Sequence, residues 1–235
     1  MEWQTKMQDL HARATAMHET RELVLVHTRK LGQLAAKSIR SVHRHQFDQA
    51  FSLLAEATAA AREARNLLKA FPELNPAYLH DTEKELVEAA VVIAIVQDLP
   101  FPSPDELGAQ VMSYLHGLGE AASEVRRFAL DEMRAGRIGE ATRILECMEA
   151  IYEELITFDF SDSLTNGLRR TCDALRAVIE RTRSDLTMTA SQHELVNALR
   201  EARYGTQTKS DPDTYLRTNS AAAVIPESQE GISTV

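Results

Sequence analysis

An all-α fold follows from three observations on the sequence. Ala, Leu and Glu abound while 9 Gly and 7 Pro interrupt 235 residues, apolar residues recur at helical spacing over most of the chain, and no run of β-branched residues long enough for a strand appears. Hydrophobic residues make up 44% of the chain, sufficient for one sizeable core, so a single folded domain is expected.

The first helix runs from the N-terminus to about Val42, pauses over the polar residues 43–46, and is followed by a second over 47–71. Pro72 and Pro76 punctuate the next connection, and a third helix covers 77–98 before the Leu99-Pro100-Phe101-Pro102 break. Ser103 is an N-cap, with Pro104 at the first helical position and Glu106 completing a capping box. From there the spacing predicts one helix to Gly136, roughly 50 Å long. A fifth helix covers 138–158, a polar turn 159–163, a sixth helix 164–186 and a seventh 191–203. After Tyr204 the chain is rich in Ser, Thr, Asp, Pro and Gly without periodicity, the pattern of a mobile tail. The domain is therefore placed at 1–203 and the tail at 204–235. Long helices with short connections pack as antiparallel neighbours, so the predicted architecture is a seven-helix antiparallel bundle.

Composition excludes several classes of function. Cys147 and Cys172 have no second ligand at metal-finger spacing, which points to buried free thiols rather than a zinc site or a disulfide framework. No signal-peptide pattern opens the chain, and the longest apolar stretch, 89–96, is too short to span a bilayer; a cytoplasmic protein without membrane partners is expected. The net charge of −9 argues against a surface coated in nucleic acid. Charge is unevenly placed, however: Arg21, Arg29, Lys30, Lys37, Arg40 and Arg44 stand against the single acid Glu22 between residues 21 and 45.

Glu-x-x-Glu occurs at Glu19/Glu22, Glu85/Glu88 and Glu146/Glu149, and on a helix this spacing merely sets two acids on one face. Context separates them, because residues 86–96 are otherwise almost wholly apolar and a helix apolar all round is central. Glu88 is thus the acid expected to be enclosed. Such a carboxylate requires a proton, a basic partner or a metal ion. Glu120 and Glu124 form a second same-face pair among the small residues Gly117, Gly119, Ala121, Ala122 and Ser123, which allow another backbone to approach. If the two helices are neighbours, the four acids offer the hard oxygen donors that Mg²⁺ or Mn²⁺ prefers. Spacing alone leaves open that they are surface acids paired with Lys84, Arg126 and Arg127.

The stretch from Ser113-Tyr114-Leu115-His116-Gly117 through Glu120 and Glu124 to Arg126-Arg127 resembles the Tyr-Leu-x-Gly segment of the translin family. The stretch from Phe158 through Asn166-Gly167-Leu168-Arg169-Arg170 to Asp173-Ala174-Leu175-Arg176 resembles the family's penultimate-helix entry, and the helix order agrees over roughly residues 15–205. Lys84-Glu85-Leu86-Val87-Glu88-Ala89 is similar to the acidic motif of the family's RNA-cleaving branch, that of translin-associated factor X and its archaeal relatives. The resemblance implies that Glu85, Glu88, Glu120 and Glu124 hold Mg²⁺ (or Mn²⁺) and cleave single-stranded RNA. Glu88 or Glu124 would act as general base, and Glu120 departs from the family's Asp. It further implies Lys30, Lys37, Arg40, Arg126 and Arg127 as contacts to the backbone of RNA, or of single-stranded DNA. The assembly it implies is a hollow octamer, built from this chain alone or with a second translin-like subunit.

A non-catalytic nucleic-acid-binding scaffold of the same fold is the alternative. A ferritin-like di-iron bundle lacks its Glu-x-x-His element at either acid pair, and a helical adaptor leaves Glu88 without explanation. Trp3, Phe158 and Phe160 are expected to anchor packing, and His116, one turn before Glu120, to be a partly exposed histidine without a ligand.

Overall fold

The structure, a computed structural model, describes residues 2–74 and 77–207. Among these, helices account for the ordered elements and no strand occurs: α1 (Glu2–His43), α2 (Phe47–Leu68), α3 (Ala77–Val96), α4 (Pro104–Leu107), α5 (Val111–Glu124), α6 (Arg126–Arg134), α7 (Ile138–Leu155), α8 (Asp162–Thr165) and α9 (Leu168–Gln207). The chain divides into two compact units, residues 1–189 and residues 190–235. The first holds the core and every acid discussed below. The second contains the end of α9. Beyond Gln207 the expected tail lies outside the described residues.

α3 is the central helix, as its composition requires. Leu86, Val87 and the residues from Ala89 to Ile95 are all at most 3% exposed, and α3 packs against α1, α2, α5 and α7. α1 buries Val24, Leu31, Ala35 and Val42 along one seam, facing the alanine row Ala50, Ala57, Ala61 and Ala64 of α2. Small side chains on α2 let the two backbones come close, and Ser38 Oγ donates across the gap to the Ala50 carbonyl at 2.8 Å.

Four boundaries differ from expectation. The helix foreseen over 104–136 is broken twice. The capping box of Ser103 and Glu106 forms, but the turn closes at Gly108, whose φ of +67° is the left-handed C-cap. Arg65 Nε donates to the Gly108 carbonyl at 2.5 Å and holds this corner. The second break is mild: Val125 keeps helical φ with ψ of −11° between α5 and α6, and Gly136 then ends α6 at φ +76° as expected. The sixth helix begins later than foreseen, at Leu168, because Asn166 and Gly167 both adopt positive φ. It then runs through 187–190 without a pause. The threonines there turn their hydroxyls back onto the helix, Thr187 to the Arg183 carbonyl at 2.8 Å and Thr189 to the Asp185 carbonyl at 2.7 Å, so they satisfy themselves without ending it.

Candidate functional site

Glu85 and Glu88 lie on α3 and Glu120 and Glu124 on α5, and α3 and α5 are neighbours. Gly117 sets how close they come. A Cβ there would stand 2.5 Å from Val87 Cβ and 2.8 Å from the Lys84 carbonyl oxygen, so only glycine admits the α3 backbone. On another side of α5, a Cβ at Gly119 would stand 2.6 Å from Thr171 Cγ2 of α9. Glu85 and Glu88 each follow one residue after an α3 residue that Gly117 touches, which brings them to the part of α5 that carries Glu120. A concavity of about 230 Å³ results, lined by Ala36 and Ile39 of α1, Lys84, Glu85 and Glu88 of α3, and Glu120 of α5. Glu85 also lies against α1: a Cβ at Gly32 would be 3.0 Å from its Oε2. Glu124 lines a second groove, with Arg126, Arg127 and Arg134.

The α3 carboxylates Glu85 and Glu88 are perturbed. Burial raises the Glu88 pKa from its ordinary 4.5 to about 7, helped by repulsion from Glu120, Glu124 and Glu85 and opposed by Lys84. Glu88 forms no hydrogen bond or ion pair among the described residues. Glu85 is raised too, chiefly by burial, with Lys84 opposing and Glu120 adding. Burial works against the Lys84 ammonium, but its hydrogen bond to Glu120 and the surrounding acids outweigh this and raise its pKa.

The α5 acids are already engaged. Lys84 Nζ pairs with Glu120 Oε1 at 2.9 Å, and His43 Nε2, at the end of α1, meets Glu124 Oε1 at 2.7 Å. Consequently no three acid, histidine or cysteine side chains among the described residues stand gathered at coordinating geometry. The surface-pair alternative is thus partly realised for Lys84, in a half-buried setting.

Glu88 is half-buried, and the acid fully enclosed on α3 is instead Glu83, at 0% exposure. Glu83 shares the buried face of Leu79, Leu86 and Ala90 and survives there because it has partners: Arg65, the Gln110 N–H at 3.2 Å and Ser113 Oγ at 3.2 Å. Even so, burial raises its pKa against the pull of Arg65. Glu83 ties α2 and the start of α5 to α3, and so fixes the position of the acid pairs. A polar Thr82-Glu83-Lys84-Glu85 stretch hid it in the sequence.

The basic candidates separate into two groups. Lys30, Lys37 and Arg40 are exposed on α1 and make no ion pair among the described residues, as do Arg29 and Arg44. At 100° per residue Arg29, Lys30, Lys37 and Arg40 form one stripe along the exposed side of α1, with Arg44 one residue past its end. Arg127 is likewise exposed and unpaired. Arg126 is occupied: it donates to Thr182 Oγ1 at 2.8 Å and to Asp185 at 2.7 Å, bracing α6 against α9.

Other residues depart from expectation. His116 is buried, 6% exposed, and bonded away from the acids, with Nε2 donating to the Thr165 carbonyl at 2.8 Å and Nδ1 3.0 Å from Thr171 Oγ1. Trp3 and Phe160 are exposed rather than anchoring, while Phe158 packs against the core. Both cysteines are free, Cys172 buried and Cys147 half-buried. No helix among the described residues is long and apolar enough to cross a membrane. His43 and Glu83 were missed because nothing local marks them; their roles come from helices distant in sequence.

A central apolar helix carrying acids against a glycine-bearing neighbour defines a helical protein of the translin type. AfC3PO is similar to this chain at 31% identity and a TM-score of 0.72, over 80% of this chain and 98% of that one. A second AfC3PO structure, in complex with duplex RNA, matches with 31% identity and a TM-score of 0.70 over 80% and 97%. Apo-NeC3PO shares the fold, with 22% identity and a TM-score of 0.70. An uncharacterized protein of Methanocaldococcus jannaschii is 30% identical over 186 residues, 79% of this chain and 83% of its own length. No protein-family profile matches the chain. The chain belongs to the translin family.

Proposed function

We propose that this protein is a metal-dependent endoribonuclease acting on single-stranded RNA through Glu85, Glu88, Glu120 and Glu124, within a translin-like oligomer. The observation that carries this reading is Glu88: half-buried, without a hydrogen-bonding partner and repelled by three other carboxylates from two helices. Protein interiors do not retain such a group without a compensating proton or cation. Four carboxylates are a hard oxygen donor set and suit Mg²⁺ or Mn²⁺, and Glu85, Glu88, Glu120 and Glu124 would hold the ion. When bound, a divalent ion of this kind activates water and neutralises charge developing on a phosphate. Glu88 or Glu124 serves as general base, while Lys84 holds Glu120 and keeps one positive charge in the concavity.

The unpaired α1 stripe supports the choice of a polyanionic substrate, because Lys30, Lys37 and Arg40 offer phosphate contacts on the helix that also lends Ala36 and Ile39 to the concavity. That AfC3PO has been solved with duplex RNA, at 31% identity, supports RNA in particular. Single-stranded DNA would meet the same cations. A non-catalytic RNA-binding scaffold is the second reading, favoured by one observation: Lys84 and His43 already engage Glu120 and Glu124.

The test is incubation of labelled single-stranded and duplex RNA with the protein in Mg²⁺ or EDTA, beside Glu88→Gln and Glu124→Gln variants. Cleavage of the single strand that needs Mg²⁺ and disappears in variants that still bind RNA is the expected result. Binding without cleavage by the parent protein would establish the scaffold.

A further inference from the structure

The helix that carries the cationic stripe also reaches the acids. His43 is the last residue of α1, and its ring stacks on Phe128 of α6 with centroids 6.3 Å apart and planes inclined by 29°, its side chain only 9% exposed. Nε2 is 2.7 Å from Glu124 Oε1. Nδ1 is buried and has no hydrogen-bond partner. These facts together assign the hydrogen. An ionised carboxylate only accepts, so Nε2 must donate to it; a hydrogen on Nδ1 would be a buried donor with nothing to receive it. The imidazole is therefore fixed by stacking on one side and by a single directed bond at its tip, and that bond fastens one oxygen of Glu124 while the other stays free.

Building on the four-carboxylate reading above, we propose that His43 is a positioning residue. It clamps Glu124 from α1, so that the site is completed by three helices rather than two. Side chains that hold a ligand carboxylate or imidazole from behind alter metal affinity by 10–100-fold when removed. Lys84 plays a different part at Glu120, since its ammonium competes with a cation for the same oxygen, whereas the imidazole N–H holds Glu124 by one directed bond. His43 thus favours the ion, and it does so without touching either ion or RNA.

The experiment measures Mn²⁺ binding to the full-length protein by calorimetry at fixed pH, with urea unfolding in EDTA as a control for folding. His43→Leu removes the donor; His43→Gln keeps an N–H near the Nε2 position. His43→Leu should weaken Mn²⁺ binding by roughly 10–100-fold and His43→Gln by less than about 3-fold, as expected for loss and retention of an orienting donor. On a Glu124→Gln background the leucine substitution should add nothing, because the clamp then holds no carboxylate. Equal Mn²⁺ affinity in parent and His43→Leu would overturn the proposal, as would equal losses in the two histidine variants. Absence of Mn²⁺ binding by the parent would overturn the metal reading and this proposal together. Where the leucine variant does not fold, His43→Asn, too short to reach Glu124, takes its place with the same expected loss.

Discussion

Glu88 is a carboxylate whose charge is unwelcome in the metal-free chain, and that has a consequence for stability. Its folded pKa of about 7 lies above its ordinary 4.5, so between those values the folded state binds more protons than the unfolded one. Folding stability therefore falls as pH rises through this window, and the contribution is complete only below it. A shift of this size corresponds to at most about 3 kcal/mol, less whatever water reaching a half-buried group returns. Melting temperature measured in EDTA should fall from pH 5 to pH 7.5, and Glu88→Gln should flatten much of that fall. Adding Mg²⁺ at pH 7.5 should restore stability to the parent but not to the variant, since an ion that binds only the folded state stabilises it. Lys84→Gln tests the neighbouring charge. It frees Glu120 and removes the cation that, among the described residues, lines the concavity, so Mn²⁺ should bind several-fold more tightly. Unchanged or weaker Mn²⁺ affinity in a titration would show that Lys84 is not in competition with the ion.

At the scale of elements, a single glycine decides whether two helices can share a site. Gly117→Ala places a methyl group 2.5 Å from Val87 Cβ and 2.8 Å from a backbone oxygen. The gain in helix propensity, about 1 kcal/mol, is smaller than the roughly 1–3 kcal/mol cost of overpacking. Urea unfolding should show a net loss, and α5 should be displaced from α3 enough to weaken Mn²⁺ binding as well. Arg65→Met should cost more, about 3–5 kcal/mol, because it strands the enclosed Glu83; Glu83→Gln should be milder. The apolar run of α3, the capping box at Ser103 and the small residues of α5 were legible in the sequence, since each is a local pattern. The break at Gly108 was not, because an arginine from α2 secures it, nor was the continuity of α9, where threonine hydroxyls are satisfied by their own helix. The same limit applies to the site. Glu85, Glu88, Glu120 and Glu124 announce themselves by spacing, whereas Glu83 and His43 acquire their importance only from partners 18 or more positions away.

Across the whole molecule, an acidic chain carries a cationic line on α1. Arg29 to Arg40 spans about 17 Å of α1, the reach of a few nucleotides, on a protein of net charge −9. Reversing Lys37 and Arg40 to Glu should weaken single-stranded RNA binding by at least tenfold at low salt. It should also lower the dependence of log K on log salt by about 1.4, as for the loss of two phosphate contacts; an unchanged slope would remove α1 from the RNA path. The other end of this helix has a different consequence. α1 extends 42 residues, α2 only 22, and residues 2–15 are all exposed, with Trp3 at 70%. Trp3 is the chain's one tryptophan. Intrinsic fluorescence will therefore be almost blind to melting of the core, which circular dichroism must follow instead. Its emission will report on one event, a blue shift whenever something dry comes to rest on the overhanging end of α1.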